Sequence, residues 1–246
     1  MIFQSRRNPG TDYRFLAVDM HNHVLPALDD GAPDTATSLQ LMAELKKLGF
    51  SMLIPTPHTY SSLYPNTPGT IEAAYRQLQQ TLASQDESLY PVLQGYASEY
   101  MLDNQYSEER KMRQPLSFGK RRVLIEMSFA DLSPMLHEEI FQLQLHGQVP
   151  VLAHPERYPY LFGHLGYFEQ LVALGCELQL NLLSLTDHYG PGPQKTARLL
   201  LKNELYSWAG TDAHHMGHIE LLKELLHSKA LSLITEYPFL NRELTT

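Results

Sequence analysis

The sequence predicts an α/β fold with a parallel sheet in a single domain. Seven short apolar runs alternate along the chain with seven longer amphipathic stretches, an order that is typical of β-α units. The chain has 246 residues, of which 43% are hydrophobic and 19% charged, and no low-complexity linker divides it. Residues with metal-binding side chains directly follow most of the apolar runs. A closed barrel and an open, doubly wound sheet both fit this pattern.

The predicted strands are short apolar runs, and the predicted helices are stretches in which apolar residues recur at helical spacing. The strands are residues 14–20, 50–55, 90–97, 122–127, 149–153, 176–181 and 206–210. The helices are residues 35–48, 70–83, 105–112, 134–146, 167–174, 191–202 and 219–226. Gly49 and Gly175 are expected to end the first and fifth helices, and Pro134 to stand in the first turn of the fourth. We assign residues 1–12 to an N-terminal extension and residues 13–246 to the domain.

Composition and charge argue against several classes of protein. The formal net charge is −8, and the sequence has no basic block beyond the short cluster 120–122 (KRR), so we expect no nucleic-acid partner. The first eleven residues carry two arginines without an apolar segment after them, and charges such as Glu177 interrupt the apolar stretches elsewhere. We therefore expect neither a signal peptide nor membrane insertion. A single cysteine, Cys176, excludes an internal disulfide and favours a cytoplasmic location.

The first predicted strand ends in residues 19–23 (DMHNH), where one residue separates two histidines. Alternate side chains of an extended strand point to the same face, so His21 and His23 can bind one metal ion. Asp29 and Asp30 are expected to cap the following helix or to hold this histidine pair through hydrogen bonds. A lone His-x-His is equally compatible with two ordinary surface or core imidazoles. The residues after the other strands therefore decide between the two interpretations.

Six of the seven predicted strands lead into a side chain that can bind metal or transfer a proton. These residues are His21 and His23 after the first strand, His58 after the second, Glu99 after the third, Glu126 in the fourth, His154 after the fifth, and Asp212 and His214 after the seventh. Taken singly, Glu99 or Asp212 could cap a helix, and Glu126 could form a buried salt bridge. As a set they fall at the carboxyl end of the sheet, where the active sites of βα barrels form. We therefore expect them to share one site.

Five imidazoles and three carboxylates are more ligands than one ion uses, because a catalytic zinc ion takes about three protein ligands. We expect two or three divalent metal ions with bridging carboxylates. Nitrogen and oxygen ligands without thiolate favour manganese, iron or zinc over copper or calcium. Three carboxylates contribute about −3, so the filled site carries about +1 with two ions and about +3 with three. This positive charge suits a phosphate group.

Six motifs resemble those of the polymerase-and-histidinol-phosphatase (PHP) superfamily, and within it the bacterial manganese-dependent tyrosine-protein phosphatases of capsular and exopolysaccharide operons. The motifs are residues 19–32 (DMHNHVLPALDDGA), 56–58 (TPH), 124–126 (LIE), 154–157 (HPER), 184–186 (SLT) and 211–214 (TDAH). They span about residues 15–226 in the family's order, and the long first motif and HPER are the specific ones. The resemblance implies a distorted (β/α)7 barrel. It also implies hydrolysis of phosphotyrosine on a membrane-associated tyrosine kinase that controls polysaccharide export.

By motif match, the resemblance also implies which residues bind the ions, with manganese as the expected metal. The implied ligands are His21, His23, His58, Glu99, Glu126, His154, Asp212 and His214. The expected reaction is attack of a metal-bridging hydroxide on the phosphorus atom of the ester. We expect catalytic roles for Arg157, whose bidentate guanidinium can grip phosphate, and for Glu126 and His154. A salt bridge with a neighbouring acid such as Glu156 is the alternative role for Arg157.

The chain departs from the family after its last motif. Many relatives carry an arginine there, whereas this chain reads HHMGH from residue 214. A phosphate contact at this place would fall to His215, His218 or another loop, or be absent. His188 and His215 are candidates for a general acid. A tyrosine leaving group, whose pKa is about 10, needs less protonation than an alkoxide.

Three other functions stay open at this point. A phosphatase of a small metabolite, such as histidinol phosphate or a nucleotide, would use the same fold with a deeper pocket. Metal-dependent amidohydrolases also begin with His-x-His, but they generally need a metal-bridging lysine after a middle strand, where this chain has Glu126. A non-catalytic module that binds a kinase is disfavoured because all eight ligands are present. The expected partner is a phosphotyrosine-bearing protein, such as the tail of a bacterial tyrosine kinase, and a homo-oligomer stays open.

Overall fold

Eight short strands and seven α-helices alternate within residues 12–85 and 88–245, which the computed structural model describes. The strands are β1 (Val18–Asp19), β2 (Met52–Leu53), β3 (His58–Thr59), β4 (Glu99–Met101), β5 (Arg122–Glu126), β6 (Val149–Ala153), β7 (Glu177–Asn181) and β8 (Trp208–Gly210). Strands β3 to β8 form one parallel sheet in sequence order, and β1 pairs in parallel with β2. Of the predicted N-terminal extension, residues 1–11 lie outside the described residues.

Backbone hydrogen bonds beyond the named strands join the two sheets into one curled layer. After β8, the Asp212 amide donates to the His21 carbonyl, which follows β1, at 2.8 Å. After β2, the Thr56 amide donates to the Asn22 carbonyl at 2.9 Å. These bonds bring the carboxyl ends of the first and last strands side by side. Residues that follow strands far apart in the sequence can therefore share one site.

The helices pack against the strands through apolar faces. They are α1 (Thr35–Lys47), α2 (Pro68–Gln85), α3 (Asn104–Met112), α4 (Leu136–Leu145), α5 (Leu165–Ala173), α6 (Pro191–Lys202) and α7 (Met216–Leu226). In α4, for example, Leu136, Ile140 and Leu143 are buried at helical spacing, and the helix contacts β6. Asp34 caps α1 by accepting a hydrogen bond from the Thr37 amide at 2.8 Å. No helix in the described part of the chain is long and apolar enough to cross a membrane.

A second apolar cluster, separate from the one that the helices cover, fills the concave side of the curled sheet. We call it the interior layer; it consists of Val18, Met20, Ile54, Ala97, Phe118, Leu124, Val151, Ala153 and Trp208. Leu124 and Val151 belong to β5 and β6, and their neighbours Val123, Ile125 and Leu152 belong to the helix-covered cluster. This alternation is expected of strands that are buried on both faces. The rings of Phe118 and Trp208 meet edge to face, with centroids 5.5 Å apart.

The predicted strand at residues 90–97 is wrong. Tyr90–Val92 form a 3₁₀ helix, and the strand at this place in the sheet is β4, which begins at Glu99. Gly95 has a φ of 81°, a conformation that interrupts an extended run. The other six predicted strands each overlap an observed one. Strand β3 was not predicted, because a two-residue strand offers no alternation to read.

Two of the three predicted helix signals agree with the structure. Gly49 (φ 109°) and Gly175 (φ 83°) follow the ends of α1 and α5 in the left-handed region. Pro134 does not lie in the first turn of α4, which begins at Leu136. Instead it lies in the turn before the helix, where the Ser133 hydroxyl accepts a hydrogen bond from the Met135 amide at 3.3 Å.

Candidate metal centre

A cavity of about 290 Å³ opens at the carboxyl ends of the strands. Its walls are formed by Asp30, His58, Glu126, Phe129, His154, Arg157, Tyr189, Asp212, His214, His215 and His218. Five of the eight predicted metal-binding side chains line it, and the other three, His21, His23 and Glu99, are fully buried next to them. The structure therefore brings all eight side chains together.

The rings of His21 and His23 are each held by a hydrogen-bond acceptor on their Nδ1 atom. Gln179 Oε1 lies 2.8 Å from His21 Nδ1, and Asp29 Oδ2 lies 2.7 Å from His23 Nδ1. Because both partners accept, each Nδ1 carries the hydrogen, and each neutral ring presents a lone pair on Nε2. The two Nε2 atoms are 3.4 Å apart. This is the tautomer and direction that a shared metal site requires.

Both Nε2 atoms face carboxylate oxygens. Asp212 Oδ1 lies 3.3 Å from His21 Nε2 and 3.2 Å from His23 Nε2. Glu99 Oε2 lies 3.2 Å and 3.6 Å from the same two atoms. Lone pairs of neutral imidazoles and carboxylates repel each other unless a positive charge lies between them. The four side chains, whose ligand atoms lie within 4.8 Å of one another, therefore fit a divalent cation.

Two further groups of ligand atoms overlap the first one. They are His58, Glu99 and Glu126, and His23, Asp30, His58 and His214. His58 Nδ1 lies 3.1 Å from Glu99 Oε2 and 3.0 Å from Glu126 Oε1. Among the described residues, His58 Nδ1 and Asp212 Oδ1 are buried without a hydrogen bond, as expected of atoms available to a metal. Residues shared between groups can bridge adjacent ions.

The charge distribution favours a cation at the same place. Burial lowers the pKa of His58, but the carboxylates of Glu99 and Glu126 outweigh burial and raise it to about 9. Burial raises the pKa of Asp212, but the neighbouring His21 and His214 hold it well below its usual range. The carboxylates therefore stay charged and attract positive charge.

Two site residues adopt a left-handed backbone conformation at strand ends. His154, directly after β6, has a φ of 33°, and Asp212, two residues after β8, has a φ of 52°. Residues other than glycine rarely adopt this conformation, which costs about 1–3 kcal/mol. The turn directs the His154 ring toward the cluster, where its Nε2 lies 2.9 Å from Glu99 Oε1. Backbone strain is thus present at the site itself.

Asp29 and Asp30 do not cap α1, contrary to one of the two expected roles. Asp29 instead orients two histidines, since its carboxylate binds the His23 ring and accepts a hydrogen bond from the His58 amide at 2.9 Å. Asp30 Oδ1 lies 3.6 Å from His58 Nε2 and 3.5 Å from His214 Nε2. A hydrogen bond from His214 lowers the pKa of Asp30 to about 2. Asp30 is therefore a further side chain that can bind metal, which the sequence analysis did not expect.

Arg157 projects into the cavity between two aromatic rings. Its Cζ atom lies 4.9 Å from the ring centroid of Phe129 and 4.2 Å from that of Tyr189. Its Nη1 donates to Asp212 Oδ2 at 2.8 Å, so one edge of the guanidinium is anchored in the cluster. A guanidinium has five N–H donors, and the remaining ones are available to an anion in the cavity.

Glu156 is not the partner of Arg157, although the two are adjacent in the HPER motif. The carboxylate of Glu156 is fully buried and accepts hydrogen bonds from the Asn181 amide (3.0 Å) and the Tyr206 hydroxyl (2.9 Å). It thereby ties the motif to β7 and to the segment before β8. Burial raises the pKa of Glu156. The salt bridge considered as the alternative role for Arg157 is therefore present, but its acid is Asp212 and not Glu156.

Three more imidazoles lie near the last motif. His218 is buried, and its Nδ1 accepts a hydrogen bond from the His214 amide at 3.2 Å, so the hydrogen of the neutral ring is on Nε2. Burial and the nearby His215 lower the pKa of His218 to about 4. His215 and His218 both line the cavity, whereas His188 is exposed with its ring 5.3 Å from that of His218. A neutral donor thus stands near the place where the motif resemblance led us to expect an arginine.

Strand β7 supports the ligands, although no metal-binding residue was predicted on it. Gln179 holds the His21 ring, and Asn181 Nδ2 donates to Asp212 Oδ2 at 2.8 Å. Both are fully buried at alternate positions of the strand, so they lie on the same face. Gln179 and Asn181 alternate with Leu178 and Leu180, and two polar side chains on one face of a predicted internal strand are the signal that could have identified them.

Asp19 fixes the loop that carries Asp212. Its carboxylate accepts hydrogen bonds from the Thr211 amide (2.9 Å) and the Thr211 hydroxyl (2.6 Å). Burial raises the pKa of Asp19 to about 6, against these two hydrogen bonds, which lower it. Asp19 is the first residue of the longest motif, but its position before the histidine pair did not indicate this role.

Known proteins resemble the chain over most of its length. A family model described as "Capsular polysaccharide synthesis, CpsB/CapC" matches residues 17–221. The tyrosine-protein phosphatase YwqE of Bacillus subtilis is 33% identical over 201 residues, which cover 81% of this chain and 78% of the relative. The tyrosine-protein phosphatase CpsB of Streptococcus pneumoniae is 25% identical over 204 residues, which cover 81% of this chain and 83% of the relative.

The fold agrees with these relatives. A solved structure, described as one of the metal-dependent tyrosine phosphatases YwqE from Bacillus subtilis and CpsB from Streptococcus pneumoniae, superposes with a TM-score of 0.75. It is 28% identical, and the match covers 89% of this chain and 91% of that one. These matches confirm the resemblance that the motifs indicated. The chain therefore belongs to the CpsB/CapC family of capsular polysaccharide synthesis.

Proposed function

We propose that this protein is a metal-dependent protein-tyrosine phosphatase that acts in the synthesis of capsular or exported polysaccharide. The named activity of the relatives supports this function, and their match covers most of both chains. The observation that carries the proposal is the convergence of the His21 and His23 Nε2 lone pairs on Asp212 Oδ1. A divalent cation bound between these atoms makes the arrangement favourable, and a cation-filled cavity suits a phosphate ester.

We assign metal binding to the eight predicted side chains and propose two or three divalent ions, of which manganese is the expected one. The assigned ligands are His21, His23, His58, Glu99, Glu126, His154, Asp212 and His214. The three overlapping groups of ligand atoms support more than one ion. When bound, such ions supply a hydroxide near neutral pH and neutralise charge on the phosphoryl oxygens.

The chain's own residues hold the substrate and the ligands in place. Arg157, anchored on one side by Asp212, can bind two phosphoryl oxygens with its remaining N–H groups. His218 presents an Nε2–H donor at another wall of the cavity. A tyrosine leaving group has a pKa of about 10, so its departure needs no strong general acid. Asp29 and Gln179 keep the histidine rings in the required tautomer.

We further propose that the fold is a distorted (β/α)7 barrel in which β2 and β3 form one interrupted strand. The short gap between Leu53 and His58, and the hydrogen bonds that join β8 to β1, support this count. The proposed partner is a phosphotyrosine-bearing protein, such as the tail of a tyrosine kinase that controls polysaccharide export. We place the reaction in the cytoplasm, because a chain with a single cysteine forms no internal disulfide and is compatible with a reducing environment.

The test is a metal-dependent assay on two substrates. After chelation and addition of Mn²⁺, the protein is assayed on a phosphotyrosine peptide and on histidinol phosphate. We expect turnover of the peptide that is lost on chelation and restored by Mn²⁺. Absence of turnover on both substrates with metal bound would refute the proposal. Faster turnover of histidinol phosphate would favour a metabolite phosphatase, which the names of the relatives do not support.

A further inference from the structure

Phe129 is an apolar residue in a cavity that is otherwise lined by polar side chains. Of the eleven described residues that line it, Phe129 is the only one whose side chain has no nitrogen or oxygen atom. Phe129 is 42% exposed, although burial of an aromatic ring stabilises a fold. An exposed apolar side chain at the edge of a polar site is expected where a ligand brings apolar surface to the same place.

The loop that carries Phe129 is anchored to the rest of the fold by the two residues before the ring, and a local hydrogen bond closes the turn around it. The Met127 amide donates to the Tyr158 hydroxyl at 3.1 Å, and the Ser128 carbonyl accepts from the Tyr160 hydroxyl at 2.7 Å. The Ala130 amide donates to the Ser128 hydroxyl at 3.0 Å. The backbone that leads into Phe129 is therefore held by the fold.

Cavity residues also pack around the ring. The His154 ring lies nearly parallel to it, with centroids 5.7 Å apart and an angle of 25° between the planes. The Arg157 guanidinium lies 4.9 Å from its centroid. Phe129 thus contacts both the residue that we assign to metal and the residue that we assign to phosphate. Phe129 also lines the same cavity as these two residues.

We propose that Phe129 is the residue that selects aromatic phosphate esters, by packing against the phenyl ring that is joined to the phosphate. The inference rests on the proposed phosphatase function and adds the specificity-determining contact. A cavity of about 290 Å³ is at the small end of ligand sites, so it holds a phosphorylated aromatic ring while the rest of a polypeptide stays outside. An alkyl phosphate would leave the Phe129 surface exposed to water.

The test compares the binding of two non-hydrolysable anions to the Mn²⁺-loaded protein by calorimetry. Phenylphosphonate carries the aromatic ring, and methylphosphonate carries the same anionic group without it. We expect Phe129→Leu to weaken phenylphosphonate about 3- to 10-fold, the value of one aromatic contact, and methylphosphonate less than about 2-fold. Phe129→Tyr, which keeps the ring, should bind both within about 2-fold of the original protein. Phe141→Ala is the matched control, because Phe141 is an exposed phenylalanine of α4 that does not line the cavity.

Three results would overturn the inference. Equal weakening of both anions would mean that Phe129 acts only by positioning Arg157. No weakening of either, or no preference of the original protein for phenylphosphonate, would mean that the ring does not contact the ligand. Because binding is measured directly, a protein that binds phenylphosphonate through Phe129 but does not hydrolyse a phosphotyrosine peptide would refute the proposed function alone.

Discussion

The interior layer and the metal centre are built on the same strands, but they are stabilised in opposite ways. In β5, Leu124 packs into the interior layer, and two residues later Glu126 reaches the metal centre. Burial of apolar side chains such as Trp208 stabilises the fold, because their surface leaves water. Burial of carboxylates and imidazoles destabilises the fold unless these groups meet opposite charge. The strands therefore contribute to stability through the interior layer and to activity through the metal centre. Substitutions in the two regions should affect these two properties separately.

The largest expected effect on activity is at the metal centre. His154→Asn removes the imidazole, and asparagine tolerates the left-handed backbone at this position better than most residues. We expect turnover of a phosphotyrosine peptide to be abolished, while the melting temperature of the protein changes little. His137→Asn, at an exposed histidine of α4, is the control. Unchanged activity of His154→Asn would contradict the assignment of this site.

In the interior layer, we expect a substitution to lower the stability of the protein and to leave its activity largely unchanged. Trp208 is fully buried against Phe118, and its indole N–H donates to Glu177 at 2.6 Å. Trp208→Ala should lower the free energy of unfolding by about 3–5 kcal/mol, because it leaves a cavity and removes one hydrogen-bond donor from the Glu177 carboxylate, which keeps its salt bridge with Arg122. Urea unfolding measures this loss, and Trp208→Phe should lose less. Activity per folded molecule should be retained, and a selective loss of activity would show that the two regions are not separable.

An intermediate effect is expected at Gln179, which belongs to neither region entirely. Gln179→Leu removes the acceptor that fixes the His21 tautomer while keeping a similar volume. Metal affinity should fall about 10- to 100-fold, as is typical when the partner of a ligand is lost. Titration of the metal-free protein with Mn²⁺ measures this, and Gln179→Glu, which keeps an acceptor, should restore much of the affinity. Equal affinities for all three forms would exclude a role of Gln179 in metal binding.

The same contrast explains how much the sequence could predict. Six of the seven predicted strands were recognisable because apolar residues that leave water form continuous runs. The metal-binding residues were recognisable because they follow these runs, so their position along the chain fixes their end of the sheet. The short strand β3 and the shift from residues 90–97 to β4 depend on backbone turns such as the one at Gly95, which leave no apolar pattern.

The supporting residues could not be found in this way. Gln179 contacts His21 across 158 positions of sequence, and Asp19 contacts Thr211 across 192. Such contacts depend on which strands become neighbours and on where the sheet curls. Asp30 was expected to cap a helix or to hold the pair His21 and His23, whereas the fold turns it toward His58 and His214. Local patterns predict helices and strands, and only the folded, curled sheet shows which side chains meet.

The left-handed backbone at His154 and Asp212 also bears on the making of laboratory reagents from this protein. Asparagine is among the few residues that adopt this conformation readily, so Asp212→Asn changes the charge with little demand on the backbone. The variant also keeps an oxygen that can accept the hydrogen bond from Arg157. Phe129 and Arg157 would then remain in place in a protein that no longer turns over its substrate. Immobilised, such a variant would serve as bait for isolating the phosphorylated partner from cells.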